Sequence, residues 1–368
     1  MSKVSIAIIT PSLGFGGAER VSAQVSEFLE KEGHHVSVFA AYPDHSYKHG
    51  GSYVFLGIKK GSFLKPFQML VAFLKLRSAF KKTPFDFVID FRSRRIFWIE
   101  MLYSFAIYPL AKHIIPTIHL ALLHNYIPKP WKVFRNKYLH YPAIVSVSDT
   151  ITSELIQHGF TNTVCIKNAV DFEWIEIQQN YPIEFDKPFI ITAGRMDDDI
   201  KQIDHVIAAY AQSSLPYQGV HLLILGDGRR KSKYEQAKNE LSCSDKIHFM
   251  GFKQNPFPYF SKAQFFVLAS RFEGFPMVLI ESLACGTPVI SYDCPTGPKE
   301  IIIHEKNGLL VEHQNQHALC QAIDRLYLDH QLQKQCSLNA IKSISALCSE
   351  NIRSQWGNLI SLIKREMP

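Results

Sequence analysis

The sequence predicts an α/β protein of two domains, each built on a parallel sheet. Its 368 residues exceed what one compact core usually holds. Short apolar runs alternate with helix-length segments along the whole chain, which is the pattern of parallel α/β domains. With 46% hydrophobic and 20% charged residues, the composition is typical of folded globular chains.

In the first half, one helix and five strands are expected. The helix Ala18–Lys31 is followed by Gly33, the residue type that most often ends a helix. Five short apolar runs are the strand candidates: Val4–Thr10, Val36–Ala40, Phe87–Asp90, Ile114–His119 and Ala143–Val147.

The second half repeats the alternation. The expected strands are Phe189–Ala193, His221–Leu225, Ile247–Met250, Phe265–Leu268 and Pro288–Tyr292. The expected helices are Ile203–Ala211, Arg230–Leu241, Val278–Ala284 and an amphipathic last helix, Ser349–Lys364. The polar stretch Asn168–Lys187 contains a proline and is the expected boundary. The predicted domains are therefore residues 1–168 and 169–348, with the segment 349–368 crossing back to the first domain.

The cysteines and apolar runs favour a cytoplasmic protein. Seven cysteines without a C-x-x-C pair argue against a disulfide framework and a structural zinc site. Val4–Ile9 resembles a first strand more than a signal peptide. Met101–Ala111, the longest membrane-like run, has about half of the roughly 20 residues that a spanning helix needs.

The net charge of +7 is unevenly distributed. Residues 1–170 hold 20 Lys and Arg against 10 Asp and Glu, whereas residues 171–368 hold 20 against 23. Lys59–Lys82 has seven basic and no acidic residues, interleaved with four phenylalanines. Such a segment suits an anionic membrane surface or an anionic lipid-linked substrate. It equally suits an ordinary surface helix. Nucleic acid is not expected, because no nucleic-acid-binding motif accompanies the charge.

A glycine-rich turn, Gly14–Arg20, lies between the first strand and the first helix. Glycines there let the backbone approach a ligand, and the helix N-terminus offers N–H groups to an anion. A dinucleotide fingerprint would need a third glycine where Glu19 stands, so the turn does not predict NAD. A tight turn without any ligand remains an alternative.

Gly194 and Arg195 directly follow the strand Phe189–Ala193, and Lys201 comes soon after. Two fixed cations near a strand's carboxyl end can neutralise a diphosphate leaving group. Two ordinary surface cations would give the same pattern. Between them, Asp197–Asp199 offers carboxylates of the kind that hold hard cations. We interpret it as a solvated loop and keep the metal site as the alternative.

The most informative segment runs from Glu273 to Glu281, between a strand and a helix. Gly274 frees the loop and Pro276 suits a first helical turn, which places helix N–H groups where a sugar phosphate can bind. Two glutamates eight residues apart are common by chance. The surrounding pattern is more specific. A strand is followed by Glu-Gly-x-Pro and a helix, and the helix is followed by Gly-Thr-Pro, residues Gly286–Pro288, and a further strand.

This segment resembles the E-x7-E signature of the family 4 retaining glycosyltransferases. Gly194–Arg195 with Lys201, Leu225–Gly228 and Asn307–Val311 match further landmarks of that family in the expected order. The segments Gly16–Arg20 and Pro295–Ile302 resemble a bacterial subgroup that builds surface polysaccharides, including lipopolysaccharide, and lipid-linked oligosaccharides. The likeness covers nearly the whole chain and is faint over residues 40–140.

The resemblance implies a role for each matched residue. Arg195 and Lys201 would hold the donor diphosphate, Glu273 would contact hydroxyls of the transferred sugar, and Glu281 would bind the ribose. A histidine near the sugar is expected at the end of a first-domain strand, where His119 is the choice and His124 the rival. The expected catalytic residues are His119, Glu273, Arg195 and Lys201. The expected donor-binding residues are Gly16, Gly17, Gly194, Arg195, Lys201, Gly226, Gly274, Phe275, Pro276, Met277 and Glu281.

The resemblance also implies the GT-B fold, in which two Rossmann-like domains face each other across a cleft. The donor would bind mainly to the C-terminal domain and the acceptor to the N-terminal one. The predicted activity is metal-independent, retaining transfer of a hexose or N-acetylhexosamine from a UDP-sugar to a glycan or a polyprenyl-diphosphate-linked glycan. No cofactor is expected, and the protein would be cytoplasmic or peripheral on the inner face of the plasma membrane. The alternatives are a UDP-sugar epimerase on the same fold and a non-catalytic basic binding module. Pro295–Pro298 stands where many family members have a glycine pair, so no contacts are assigned to that loop.

Overall fold

The computed structural model describes residues 3–14, 16–59 and 61–366. It divides the chain into two compact units. The first holds the described residues up to Ala169 and from Glu350 onward, and the second is Val170–Ser349. Each unit contains one parallel sheet flanked by helices.

The first unit has a seven-stranded sheet in the order β3-β2-β1-β4-β5-β6-β7, with every neighbouring pair parallel. The central strands are buried on both faces, as parallel sheets covered by helices are. The strands are β1 Ser5–Thr10, β2 His35–Ala40, β3 Ser52–Phe55, β4 Phe85–Asp90, β5 Ala111–Ile118, β6 Ile144–Ser146 and β7 Thr163–Cys165. The helices between them are α1 Gly17–Lys31, α2 Lys65–Lys82, α3 Phe97–Ala106, α4 Trp131–Leu139 and α5 Asp149–Gln157.

The second unit has a six-stranded parallel sheet in the order β10-β9-β8-β11-β12-β13. Its strands are β8 Phe189–Ala193, β9 His221–Leu225, β10 Ile247–Gly251, β11 Phe266–Leu268, β12 Val289–Tyr292 and β13 Gly308–Val311. Its helices are α6 Phe172–Gln178, α7 Ile203–Gln212, α8 Lys231–Asn239, α9 Phe257–Lys262, α10 Met277–Ala284, α11 Pro298–Ile301, α12 Gln316–Leu328 and α13 His330–Ser343. Short 3-10 turns lie at Tyr108–Leu110, Leu123–Asn125, Leu215–Gln218, Ser244–Lys246 and Ser345–Leu347.

The last helix, α14 Ser349–Glu366, belongs almost entirely to the first unit. Ile352 and Trp356 on its inner side are buried. Arg353 forms a 3.2 Å ion pair with Glu32, which directly follows α1. Apolar burial and this ion pair attach the end of the chain to the first unit.

Three strands were missed by the sequence analysis, and so were eight helices, α3, α4, α5, α6, α9, α11, α12 and α13. β3, β7 and β13 all lie at sheet edges. β3 and β7 are short and partly exposed, so they lack the continuous apolar run that marks a central strand. β13 is only four residues long and begins with a glycine. The expected linker Asn168–Lys187 contains α6, which begins after Asp171, whose side chain caps it by accepting from the Trp174 N–H.

The apolar stretch Met101–Ala111 is divided among the end of α3, a 3-10 turn and the first residue of β5. Among the described residues, no helix combines the length and apolar content that crossing a bilayer requires. All seven cysteines lie in the described part of the chain and are free thiols.

Candidate functional site

In both units the candidate residues follow the carboxyl ends of central strands. The strand order reverses between β1 and β4 in the first unit and between β8 and β11 in the second. Loops leave such a pair of strands in opposite directions, which opens a crevice where open α/β sheets bind their ligands. The Gly14–Gly17 loop follows β1, and the loops with Arg195 and Glu273 follow β8 and β11.

The loop after β8 is fixed by the loop after β9. The Gly194 N–H donates to the Leu225 carbonyl at 3.0 Å, and the Met196 N–H donates to the Asp227 carbonyl at 2.9 Å. Gly226 has φ +124°, and a Cβ there would lie 2.0 Å from the Gly194 carbonyl oxygen. Only glycine fits such a close approach. Gly226 therefore holds the backbone that presents Arg195.

Arg195 and Lys201 differ in how they are held. Arg195 is exposed, and within the described residues its side chain has no ion pair or hydrogen bond. Lys201 is only 23% exposed, and its ammonium lies 2.5 Å from Glu273 Oε1. The structure thus brings together Lys201 and Glu273, which stand 72 residues apart in the sequence.

Glu273 has further partners in its own loop. Its side chain is 9% exposed, and Oε1 also accepts a 2.6 Å hydrogen bond from the Ser270 hydroxyl. The Thr296 hydroxyl donates to the Glu273 backbone carbonyl. The neighbouring Arg271 N–H donates to the Ile200 carbonyl at 2.7 Å, which ties this loop to the one that carries Lys201. The carboxylate is therefore positioned before any ligand binds.

The turn from Gly274 to Pro276 leads into α10, which begins at Met277. Phe275 and Met277 are buried, as is Glu281 one turn further on. Gly297 packs against this turn. It has φ +90°, and a Cβ there would lie 2.8 Å from the Gly274 carbonyl oxygen. The Pro295–Pro298 loop, to which no contacts were assigned, therefore supports the entry to α10.

The three consecutive aspartates point to different partners. Asp197 lies 3.7 Å from Arg229, and Asp199 lies 3.4 Å from Arg271. Asp198 Oδ1 accepts from the Ile200 N–H. Within the described residues, no group of three His, Cys, Asp or Glu side chains is arranged to hold a metal ion.

In the first unit, the glycine turn forms the start of α1. Gly16 is the N-cap residue in an extended conformation, Gly17 is the first helical residue, and the Arg20 N–H donates to the Gly16 carbonyl. A Cβ on Gly16 would lie 1.9 Å from a Glu19 carboxylate oxygen, so glycine leaves room for that side chain. Phe15 lies outside the described residues.

The two candidate histidines differ in their surroundings. His119 directly follows β5, is partly exposed and stacks on Phe91 with ring centroids 5.2 Å apart. Burial, and then the charge of Arg94, lower the pKa of His119 to about 3, so its imidazole is neutral at physiological pH. His124 is exposed and lies in a 3-10 turn whose first residue, Leu123, is buried. His119 is the one held beside the carboxyl ends of the central strands.

A buried ionic cluster that the sequence analysis missed lies behind His119. Asp90 ends β4 and is fully buried, with Arg92 2.7 Å away and Arg94 3.8 Å away. Burial would raise the pKa of Asp90, but the charges of Arg92 and Arg94 lower it below its usual value. Arg92 also lies 3.3 Å from Glu100 on α3. The signal was available, since three charged residues at a strand's carboxyl end are unusual in a core.

Two family models match the chain. Residues 15–174 match the model described as Glycosyltransferase Family 4, and residues 175–343 match the one described as Glycosyl transferases group 1. Their junction falls within five residues of the boundary between the two units.

The curated relatives include two transferases of Campylobacter jejuni. N-acetylgalactosamine-N,N'-diacetylbacillosaminyl-diphospho-undecaprenol 4-alpha-N-acetylgalactosaminyltransferase is 36% identical over 45% of each chain. GalNAc-alpha-(1->4)-GalNAc-alpha-(1->3)-diNAcBac-PP-undecaprenol alpha-1,4-N-acetyl-D-galactosaminyltransferase is 26% identical over 99% of each chain. The chain spans less than half the length of the first curated relatives that it matches.

The architecture is shared with solved structures. The HepE protein of Anabaena, solved in complex with UDP and glucose, superimposes with a TM-score of 0.77 at 18% identity. The match covers 97% of this chain and 99% of that one. At this identity the likeness concerns the fold, and it agrees with the predicted fold class of two Rossmann-like domains.

Proposed function

Since the chain is a glycosyltransferase of the GT-B fold, with a family 4 domain followed by a group 1 domain, we propose that it transfers a sugar from a nucleotide diphosphate to a lipid-linked glycan with retention of configuration. The observation that carries the proposal is the pairing of Lys201 with Glu273 where the strand order of the second sheet reverses. The ammonium group of Lys201 suits the diphosphate of a nucleotide sugar, and the neighbouring carboxylate of Glu273 suits the hydroxyls of the sugar.

In the proposed reaction, the bond between the anomeric carbon and the diphosphate oxygen breaks, and a bond forms between that carbon and an acceptor hydroxyl oxygen. Negative charge grows on the departing diphosphate, which takes up the proton that the hydroxyl loses. Arg195 and Lys201 stabilise that charge together with N–H groups at the start of α10. One preorganised donor of this kind contributes about 2.7–4 kcal/mol to the transition state. In the bound donor, Glu273 accepts hydrogen bonds from hydroxyls of the sugar, and Glu281 binds the ribose.

We assign UDP as the donor nucleotide. The support is the HepE protein, which has the same fold and was solved with UDP. The test is to incubate the purified chain with UDP-hexoses and UDP-N-acetylhexosamines, with and without a polyprenyl-diphosphate-linked acceptor. We expect glycan extension with one UDP released per sugar. A product formed from the UDP-sugar alone, without UDP release, would identify an epimerase instead.

The lipid-linked acceptor is proposed because both transferases of Campylobacter jejuni carry undecaprenol in their names. Retention is tested on the same product, because an α-linked donor should give an α-linkage in its NMR spectrum. A β-linkage would overturn the retaining assignment and leave transfer itself intact.

Metal-independent transfer is part of the proposal. Arg195 and Lys201 supply two positive charges where a divalent cation would otherwise neutralise the diphosphate. Activity should therefore be unchanged by an excess of EDTA, and added Mn²⁺ or Mg²⁺ should not raise it. A strict requirement for either ion would restore the Asp197–Asp199 metal site as the better hypothesis.

We further propose that the first unit works at an anionic membrane surface. Helix α2 has two apolar sides. Ala72, Leu76 and Phe80 pack into the core. A second set is exposed, and we call it the apolar face. It consists of Phe67, Leu70 and Leu74 on α2, Phe63 and Leu64 just before α2, and Trp98, Leu102 and Phe105 on α3. Phe73 and Tyr103 hold the two helices side by side, with ring centroids 5.9 Å apart.

The charges near the apolar face indicate which kind of surface it binds. Lys65, Lys75, Lys81 and Lys82 are exposed around it, and residues 59–82 contain no acid. Exposed apolar side chains bordered by lysines suit the interface of an anionic bilayer, which attracts each cation by about 1 kcal/mol.

The membrane proposal is tested by sedimenting the protein with vesicles. We expect binding to vesicles rich in phosphatidylglycerol and loss of that binding in the double variant Phe67→Ser/Trp98→Ser. Leu338→Ser, at an equally exposed apolar position of the second unit, is the matched control. Equal sedimentation of the double variant and the control would overturn the proposal.

A further inference from the structure

Thr117 and His119 lie two residues apart at the carboxyl end of β5. Side chains at this spacing point to the same face of a strand. Thr117 is buried, whereas His119 is partly exposed. Their side chains are joined, since His119 Nε2 lies 2.9 Å from the Thr117 hydroxyl oxygen.

The Thr117 hydroxyl has a single proton, which it can donate to only one partner. The second group within hydrogen-bond distance of the hydroxyl determines which partner receives that proton. That oxygen also lies 3.0 Å from the backbone carbonyl of Asp90, which can only accept. The hydroxyl proton therefore goes to Asp90. The hydrogen bond to His119 then requires that Nε2 carry a proton and donate it to the hydroxyl oxygen.

The buried charges behind Thr117 make this arrangement rigid. Arg94 is fully buried and donates to the carbonyl oxygens of Asp90 at 2.9 Å and Thr117 at 2.8 Å. Its charge disfavours a second proton on His119, and Lys167 lines the same cavity as His119. The imidazole is thus neutral, with its one proton on Nε2.

The other ring nitrogen is left as an acceptor. Within the described residues, Nδ1 of His119 has no hydrogen-bond partner, and it is not one of the fully buried unpaired nitrogens. A neutral imidazole with its proton on Nε2 has a lone pair on Nδ1. It can accept a hydrogen bond from a hydroxyl, and it can neither donate one from that atom nor bind an anion through charge.

We propose that Thr117 is a positioning residue that holds His119 in the Nε2–H tautomer, so that Nδ1 accepts a hydrogen bond from a hydroxyl of the bound sugar. The choice of a sugar hydroxyl rests on the proposed function. The tautomer itself follows from contacts within the first unit.

The tautomer is tested without any activity. Histidine is labelled with ¹⁵N, and the ring signals of His119 are identified by their absence in His119→Asn. At pH 7 we expect a protonated Nε2 and an unprotonated Nδ1 in the wild-type protein and in Thr117→Ser, which keeps the hydroxyl. Thr117→Val, which loses it, should show a mixture of tautomers. A proton on Nδ1 in the wild-type protein, or a Thr117→Val spectrum identical to that of the wild type, would overturn the proposal.

The consequence for the ligand is tested by kinetics. With the full sugar donor we expect kcat/KM to fall about 3- to 10-fold in Thr117→Val, the size of one hydrogen bond, and to recover in Thr117→Ser. The test is repeated with donor analogues that each lack one hydroxyl. For the analogue that lacks the hydroxyl bound by Nδ1, kcat/KM should be the same in Thr117→Val and in the wild-type protein. An equal loss with every analogue would mean that Nδ1 contacts no sugar hydroxyl. Absence of any transfer would contradict the proposed function and leave the NMR result to decide the tautomer.

Discussion

Replacing Lys201 by methionine removes two interactions that the structure joins in one side chain. Lys201 is assigned to the diphosphate, and it is also the ion-pair partner of Glu273 at 2.5 Å. Methionine keeps much of the side chain's volume and removes its charge. Both turnover and the free energy of unfolding should therefore change, and they should respond differently to a second substitution.

The expected magnitudes follow from the surroundings of the pair. Losing one preorganised cation opposite a developing charge should lower kcat by about 10²- to 10³-fold. Removing one partner of a buried pair costs about 3–5 kcal/mol of stability. Glu273 keeps the Ser270 hydroxyl, and Lys201 is 23% exposed, so we expect about 1–3 kcal/mol here.

The double variant Lys201→Met/Glu273→Gln separates the two effects. It leaves no unpaired carboxylate, so it should recover most of the lost stability in a urea titration while turnover stays low. Lys112→Met is the matched control, since its 3.2 Å pair with Asp86 is largely exposed, and it should change stability by about 0–1 kcal/mol and turnover not at all. Turnover of Lys201→Met within a factor of three of wild type would refute the diphosphate role.

Three further predictions concern other parts of the two units. Gly226→Ala should destabilise the second unit by several kcal/mol, because a Cβ there would lie 2.0 Å from a carbonyl oxygen; Gly219→Ala, with positive φ but no atom within 4 Å, should cost only about 1 kcal/mol in the same urea titration. Arg195→Met should lower kcat with little change in stability because its side chain has no partner within the described residues, whereas Arg325→Met, which loses an exposed ion pair, should leave kcat unchanged; equal kcat values would contradict the role of Arg195. His119 has its pKa lowered to about 3, so the unfolded chain takes up a proton near pH 6.5 that the folded one refuses, and stability falls as the pH drops below 6.5. At pH 5 this loss is at most about 2 kcal/mol, and His119→Asn should lack it; an identical pH dependence of the two proteins would contradict the lowered pKa.

The fold was predictable because the central strands are continuous apolar runs. β8 and β9 were predicted residue for residue, since buried parallel strands have few polar positions. The edge strands β3 and β7 were missed because partial exposure removes that signal. The fold class was nevertheless predicted correctly, because that prediction used the alternation of strands and helices and did not require the edge strands.

The candidate site was predictable where it follows strand ends in sequence order. The motifs containing Lys201 and Glu273 identified two loops, but no spacing rule shows that their side chains meet at 2.5 Å. Thr117 was missed for a different reason. Its role depends on the Asp90 carbonyl group beside it, and carbonyl groups carry no sequence signal.

The central claim is that the second unit binds a nucleoside diphosphate through Lys201 and Arg195. Titration calorimetry with UDP, in the absence of metal, tests it most directly. We predict saturable binding to the wild-type protein, loss of most of that affinity in Lys201→Met/Glu273→Gln, and no loss in Lys112→Met. UDP, GDP and ADP all failing to bind, or binding equally to the wild-type protein and the double variant, would contradict the account.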